Sequence, residues 1–498
     1  MLTKLAAFNA GAIFLDQLAL IAVAFFLTPE IISVLGMAAF GVWQIVLRWT
    51  SYISLMDGRS HELLKWKISS DGASNDGTLR KDVGASLIVW LSYLPVMIVA
   101  GFLFLLWVDR QDYNFGSSQN TILIVALLML GNAILAGIRT FPESILRGCN
   151  KGYKQVGVRT LILLVVGLLS MFAVKAGYGL IGLAITQLLG TVVLFISFLY
   201  VARKNVDWFG FARPDKPRVK YFYRAGFWYL AWSLVNFGFS FLDIIVLGFF
   251  VPPEHVSIFV VSCFAVHTIT LAISTALSAV LPGMGALLKS GDSRRLLEVR
   301  REGIIYCWWL AISISVTIIL VNRAFVGLWV SDETYAGSIE NIFIVLMALQ
   351  MVFVRNDGLI INILLDQKDK VKITLISLLL VLGLSVILVP RFDILGLCIS
   401  FILGRFTVLY FYPRIIAKHF NAPVSGALVT LGGRKCLFSG LLISVYFYLT
   451  PYVIIESWLE LTVISALAFF ISMLVLYVIG FTQENKAQLF SRVKIVKG

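Results

Sequence analysis

The chain has 498 residues, of which 59% are hydrophobic and only 14% charged, with a formal net charge of +14. A soluble domain is about half apolar and about a quarter charged, and surface-to-volume scaling leaves it no way to hide this much apolar surface. A soluble fold is therefore excluded, and lipid is the solvent for most of the chain. The positive balance reads as basic loops between apolar runs and not as a nucleic-acid surface.

A membrane span needs about 20 mostly apolar residues. Six runs, at 6–27, 30–56, 83–107, 119–140, 156–175 and 178–202, precede a basic stretch at 203–225. The first of them contains Asp16 and Gln17 and no cleavage site, so it reads as a helix and not as a signal peptide. The basic stretch holds Arg213-Pro214-Asp215-Lys216-Pro217-Arg218, a linker composition. Six more runs follow at 226–250, 256–281, 302–322, 339–364, 371–390 and 394–417, and two at 435–455 and 457–481 close the series.

Of the 41 lysines and arginines, Arg48, Arg355 and Arg405 fall deep inside runs. Arg110, Lys175, Arg323 and Arg391 fall at run ends or between runs on one side, and all the others at run ends or between runs on the opposite side. By the positive-inside rule that heavily basic side is cytoplasmic, which places both termini in the cytoplasm.

Gly182-Leu183-Ala184-Ile185-Thr186-Gln187-Leu188-Leu189-Gly190 in the sixth run matches Gly396-Leu397-Cys398-Ile399-Ser400-Phe401-Ile402-Leu403-Gly404 in the twelfth at five of nine positions. The two lie at the same place in successive six-helix units. A duplication with an even number of spans gives parallel halves, related by a pseudo-two-fold axis along the membrane normal. The expected architecture is an all-α integral membrane protein with about fourteen transmembrane helices. Two parallel six-helix lobes (1–202 and 226–418) surround a central cavity and are joined by the cytoplasmic linker 203–225. A two-helix appendage (435–481) and a cytoplasmic tail (482–498) follow.

Polar groups inside spans face a protein interior or a hydrated cavity. Asn9 and Asp16 lie seven apart, on one helix face. Gly41, Gln44, Arg48 and Ser51 repeat at helical spacing, as do Ser233, Asn236, Ser240 and Asp243, and His267, Thr270, Ser274 and Ser278. Gln350, Arg355, Asp357 and Arg405 add to them. Arg355 and Arg405 each lie roughly 16 Å from a helix end, near mid-membrane, where a guanidinium needs an anion. Arg48, Arg355 and Arg405 are therefore candidate substrate-binding cations. Asp16, Asp243, Asp357 and His267 are candidates for ion coupling, and Asn9, Gln44, Ser233, Asn236 and Ser240 for a polar cavity lining. Bland roles stand beside these. Hydroxyl stripes also pack helices together, Asp16 and Asp243 suit buried ion pairs, Arg48 has room to snorkel, and a lone His is often only hydrogen-bonded.

No catalytic signature is present: no nucleotide loop, zinc motif or nucleophile elbow. Cys149, Cys263, Cys307, Cys398 and Cys436 have no paired or metal-like spacing. No catalytic residue, metal or cofactor is expected.

Several stretches carry a family resemblance in order along the chain. They are Leu35-Gly36-Met37-Ala38-Ala39-Phe40-Gly41-Val42-Trp43; Tyr52-Ile53-Ser54-Leu55-Met56-Asp57-Gly58; Leu146-Arg147-Gly148 with Lys151 and Tyr153; Asp243-Ile244-Ile245-Val246-Leu247-Gly248; Leu281-Pro282-Gly283-Met284 with Gly291-Asp292; and Leu328-Trp329-Val330. With the fourteen-span layout, the chain resembles Wzx-type polysaccharide flippases of the multidrug/oligosaccharidyl-lipid/polysaccharide exporter superfamily. Asp57-Gly58-Arg59 departs from the family pattern, which more often has an apolar residue between Asp and Gly. The resemblance implies transfer of an undecaprenyl-diphosphate-linked oligosaccharide between leaflets of the bacterial inner membrane. Transfer against a leaflet gradient needs energy, and with no nucleotide-binding motif the remaining internal source is an ion gradient, so a coupling proton or sodium ion is expected, with polysaccharide polymerase and chain-length machinery as expected partners. A multidrug-type small-molecule antiporter of the same superfamily and a membrane polysaccharide polymerase or ligase are the alternatives; the short outer loops argue against the last.

Overall fold

The computed structural model describes residues 2–70, 76–111, 119–364, 367–483 and 485–486; of residues 2–14, 76, 271–272, 274–276, 278–279, 282 and 367 only the backbone is described. Among the described residues all regular structure is helical. The helices are α1 (Leu2–Leu35), α2 (Met37–Ser54), α3 (Ser60–Ser70), α4 (Asp76–Asp109), α5 (Gln119–Gly148), α6 (Tyr153–Lys175), α7 (Gly179–Asn205), α8 (Lys216–Phe241), α9 (Asp243–Phe250), α10 (Pro253–Lys289), α11 (Ser293–Trp329), α12 (Ser338–Ile363), α13 (Gln367–Phe420), α14 (Ala427–Leu449) and α15 (Trp458–Val475).

Every predicted span falls on helix. Among the described residues ten helices are long and apolar enough to cross a membrane, or eleven with the bent pair α8–α9 taken as one. α13 holds two predicted spans, and α2, with Gln44 and Arg48 in its 18 residues, and α10 complete the set. The chain is a multi-pass membrane protein with about fourteen spans.

Three boundaries differ from the sequence reading. The break implied at 28–29, between the first two runs, is absent: α1 runs through Pro29 and ends at Gly36, whose φ of 86° suits glycine far better than any residue with a Cβ. The span expected at 226–250 begins ten residues earlier, with Lys216 and Pro217 opening α8. It breaks at Leu242, where α8 and α9 meet at 64°. The short helix α3 was not anticipated as an element.

The chain forms two compact units: residues 1–248 with 252–256, and 249–251 with 257–498. In the first, α1 packs beside α6, and α5 beside α7. α1 and α6 run parallel and in register, meeting at Asp16–Arg159, at Val23 against Gly167, and at Glu30–Lys175. α3 lies on α4, α5 and α8, burying Leu63, Leu64 and Ile68 in a cluster with Val83, Phe141 and Phe222. The segment between α7 and α8 is tied to the start of α4. Arg80 Nε donates to the Trp208 carbonyl at 2.8 Å, Ala212 N–H to the Arg80 carbonyl at 2.9 Å, and Arg218 Nη1 to the Thr78 carbonyl at 2.9 Å.

In the second unit α11 is the central post, packed against α12, α14 and α15. Trp308 Nε1 donates to Ser439 Oγ at 2.8 Å and Trp309 Nε1 to the Met473 carbonyl at 2.8 Å. Indole N–H groups in a lipid-excluded seam need such partners, so these bonds set the register of the last two helices on α11. α13 folds back at Asp393, where φ is 53°, into a hairpin whose arms are joined by Ser377 Oγ donating to the Gly404 carbonyl at 2.8 Å.

The internal repeat has a packing role. A Cβ at Gly190 of α7 would lie 2.5 Å from Val166 Cγ2 of α6, and one at Gly404 would lie 2.4 Å from Val381 Cγ2 on the facing arm of α13. In each unit the repeat's last glycine closes a helix hairpin by letting the neighbouring helix approach.

Candidate functional site

In the first unit, polar residues gather where α1, α5 and α6 meet. Asp16 is buried, accepts a hydrogen bond from Thr160 Oγ1, and faces Arg159 Nε at 3.6 Å. Arg159 Nη1 also faces Glu143 at 3.8 Å, and Arg147 Nη2 pairs with Glu143 at 2.6 Å. Arg139 stands one helical turn before Glu143, within its electrostatic reach and with a buried Nε that has no hydrogen-bond partner. Three guanidinium groups thus share two carboxylates, a net positive site inside apolar helices. At 1.5 Å per residue Arg139 lies about 14 Å inside the end of α5.

The α2–α3 turn forms a second group. Asp57 is buried and accepts from Arg59 N–H at 3.0 Å, with its other oxygen 3.4 Å from His61 Nδ1. Gly58 (φ 73°) sits so tightly on Tyr93 that a Cβ would come within 2.6 Å of its ring. Burial pushes the Asp57 carboxyl up to about 6 and the His61 imidazole down to about 3. Nearby, buried Asp82 accepts from Lys67 at 3.1 Å and Arg218 at 2.7 Å, clasping α3 and α8 to α4.

Arg48 of α2 lies over the Phe241 ring at 5.3 Å, and Gln44 is half-buried on the same helix. Asp243 opens α9, past the bend, so the stripe Ser233–Asn236–Ser240 does not continue to it along one straight helix. Ser233 and Ser240 are half-buried and Asn236 is exposed. Asp243 is 3% exposed, and its carboxylate accepts from Ile244 N–H at 2.9 Å. Among the described residues Asp243 has no cation within ion-pair distance, whereas Asp16 faces Arg159 and Asp357 faces Arg300. The Asn9 side chain, like those of Ser274 and Ser278, lies outside the described residues.

In the second unit Arg300 of α11 grips Asp357 of α12 and donates Nη1 to the Ser425 carbonyl at 3.0 Å. Beside it Lys370 Nζ donates to the Gly358 carbonyl at 2.9 Å and to Asn362 Oδ1 at 2.5 Å, and Thr374 and Tyr412 share a hydrogen bond of 2.7 Å. Gln350 donates to the Ile402 carbonyl at 2.8 Å. Arg405 is buried with its guanidinium 4.7 Å from the Phe401 ring centre, Arg355 is half-buried, and His267 is exposed. A guanidinium stacked on a ring is partly desolvated.

Sequence reading missed Arg139, Arg159 and Arg300. All three lie inside helices, about two turns or more from the basic-side end, where the charge pattern places them with the cytoplasmic loops. Arg139 and Arg159 each follow an apolar residue and precede a threonine, and Arg139, Glu143 and Arg147 repeat at i, i+4 spacing, the signal of one charged helix face. Several family-like stretches prove to be turns and caps. Lys151 and Lys154 both bind Asn205 at the end of α7, and Asp292 accepts from Arg295 N–H at the start of α11.

Residues 9–288 match the family described as polysaccharide biosynthesis protein. No curated protein matches the chain by sequence. Among solved structures, the lipid II flippase MurJ in an inward closed conformation shares 16% identity with a TM-score of 0.69, covering 95% of this chain and 99% of its own. A multidrug resistance MATE family transporter of the MOP superfamily shares 15% identity in its inward-facing conformation, with a TM-score of 0.61 and 86% and 95% of the two chains covered. Its outward-facing conformation shares 16% identity at a TM-score of 0.53, with 89% and 95% covered. With more than half of its length matched, this chain belongs to the polysaccharide biosynthesis protein family, and it has the fold of the multidrug/oligosaccharidyl-lipid/polysaccharide exporter superfamily.

Proposed function

We propose that this protein is a transporter that carries an undecaprenyl-diphosphate-linked oligosaccharide, the repeat unit of O-antigen or another surface polysaccharide, from the cytoplasmic to the periplasmic leaflet of the bacterial inner membrane. It works by alternating access with both termini cytoplasmic, is driven by a proton or sodium gradient, and delivers its product to polymerase and chain-length machinery. The observation that carries this reading is the set of guanidinium groups held inside apolar helices in both units: Arg139 and Arg159 in the first, Arg355 and Arg405 in the second. A diphosphate cannot shed its water without replacement charges, and arginine forks supply charge and paired donors together. Small-molecule antiport is the competing reading, favoured by the likeness of fold to multidrug exporters. Arg405→Ala and Arg355→Ala, expressed in a flippase-deficient strain, should each abolish surface polysaccharide while the protein still inserts, and the Lys variants should restore part of it. Full surface polysaccharide in both alanine variants would overturn the role of these residues. Failure of the unmodified protein to complement any such strain would overturn the substrate class.

A further inference from the structure

A second group of cations lies in the second unit, where the start of α11 meets α14. A cavity of about 500 Å³ is lined by Arg294, Glu298, Arg300, Arg301, Ser425 and Thr430, among others, between the start of α11 and the loop leading into α14. Its charges divide clearly. Arg300 is neutralised by Asp357, and Glu298 is held by Arg295 at 2.8 Å and by Arg294 at 3.4 Å. Arg301 is left without a counter-charge among the described residues. Lys435 stands on the facing helix α14, one turn before Ser439, whose Oγ takes the Trp308 indole N–H of α11; it is only 8% exposed, and among the described residues its ammonium has no ion pair or hydrogen bond. Arg434 is the next cation, with Nη2 on the Ile479 carbonyl at 2.8 Å. α14 is broken at Gly432 (φ 75°, ψ 162°), which starts a new helical segment just before Arg434 and Lys435.

Three neighbouring cations, one of them buried, repel one another unless an anion joins them. The surface beyond them says what kind of anion. Leu437, Leu441, Val445 and Tyr448 are all exposed and follow Arg434 at helical spacing, so an apolar lipid-facing stripe runs along α14 directly from the cationic end. We infer that Arg301, Arg434 and Lys435 form a binding site for an anionic phospholipid of the surrounding membrane. Its phosphate sits among the three cations, and its acyl chains lie along the exposed stripe of α14. Basic pockets between membrane helices recognise headgroups in this way. The inference rests on α14 being a membrane span and is independent of which substrate is transported.

The test is native mass spectrometry of the full-length protein in detergent, titrated separately with phosphatidylglycerol and phosphatidylcholine. Each surface cation contributes about a fivefold preference for the anionic headgroup, so the unmodified protein should retain phosphatidylglycerol at least about tenfold more tightly. The double variant R301Q/K435Q keeps only Arg434 and should fall to about fivefold or less, while Lys435→Arg keeps the preference and Arg294→Gln, at the exposed rim, changes it less than about twofold. If the double variant does not fold, Lys435→Gln alone is read and should lose about fivefold. No headgroup preference in the unmodified protein, or an unchanged preference on removing Lys435, overturns the site. Displacement of the lipid by inorganic phosphate at equal concentration would show an adventitious ion only, and displacement by undecaprenyl diphosphate would reassign the site to the transported class; both overturn the assignment to a membrane phospholipid.

Discussion

The Arg300 guanidinium holds the Asp357 carboxylate by two parallel hydrogen bonds, Nε to Oδ1 at 2.8 Å and Nη2 to Oδ2 at 2.9 Å, with both side chains 4% exposed. The pair fastens α11 to α12, and the third arginine nitrogen ties both to the loop before α14. In this structure the Asp357 carboxylate is thus held by a cation on both oxygens. Removing one partner strands the other, so Arg300→Ala or Asp357→Ala should each cost on the order of 3–5 kcal/mol. The pair Arg300→Met with Asp357→Leu should cost clearly less than the two single changes together. Apparent Tm in detergent for the four proteins checks this; additive losses would show that the two residues do not act as a pair.

The glycine hairpins give a suppressor test. Gly190→Ala drives a methyl group into Val166, a stiff β-branched side chain, and should destabilise by about 1–3 kcal/mol. Val166→Ala in the same chain should recover most of that loss. The same holds in direction for Gly404→Ala with Val381→Ala. Thermal unfolding reads the result, and equal stability of Gly190→Ala with and without the second change would contradict the close approach.

The apolar runs were legible because lipid imposes length and hydropathy on every span. The breaks were not, because punctuation residues mean less in a membrane helix. Pro29 lies inside α1, where its lost N–H bond is tolerated, while the real stop is Gly36. The bend at Leu242 carries neither Pro nor Gly at the joint. Asp16, Asp243 and Asp357 stood out as polar residues in apolar runs, yet their environments were hidden. Arg300 is 57 positions from Asp357, and Thr160 is 144 from Asp16. A helical period shows which residues share a face, but not which distant helix meets that face.

Asp57 predicts a pH effect of definite sign. Its carboxyl rises from the model-peptide value of 3.8 to about 6 in the fold, because burial disfavours the charge. The folded chain thus binds the proton more tightly, and this contribution to stability falls as pH rises from about 4 to about 6. Above that window the ionised group costs an upper limit of about 3 kcal/mol. Asp57→Asn keeps an acceptor for Arg59 N–H and removes the charge, so its apparent Tm relative to the unmodified protein should be higher at pH 8 than at pH 4.5. Buried His61, held neutral, has the opposite slope between about 3 and 6.5 and is common to both proteins. A difference that does not change with pH would contradict the burial of an ionisable Asp57.

Asp243 is the carboxylate whose surroundings suit a coupling role, since it is buried with no cation in ion-pair distance among the described residues. Asp243→Asn in proteoliposomes should abolish gradient-driven transport, while Asp16→Asn should act mainly through stability because Thr160 and Arg159 hold it. Imposed proton and sodium gradients, applied separately, identify the ion. Unchanged gradient dependence in Asp243→Asn would remove the residue from the coupling path.

The most direct measurement is translocation itself. The purified protein in proteoliposomes is given a radiolabelled undecaprenyl-diphosphate-linked oligosaccharide, and accessibility of the sugar to an added membrane-impermeant glycosidase is followed over time. Transfer between leaflets should require the protein, increase with an imposed ion gradient, and be lost in the Arg405→Ala variant. Equal transfer in protein-free vesicles, or transport of organic cations with no movement of the lipid-linked sugar, would contradict the account.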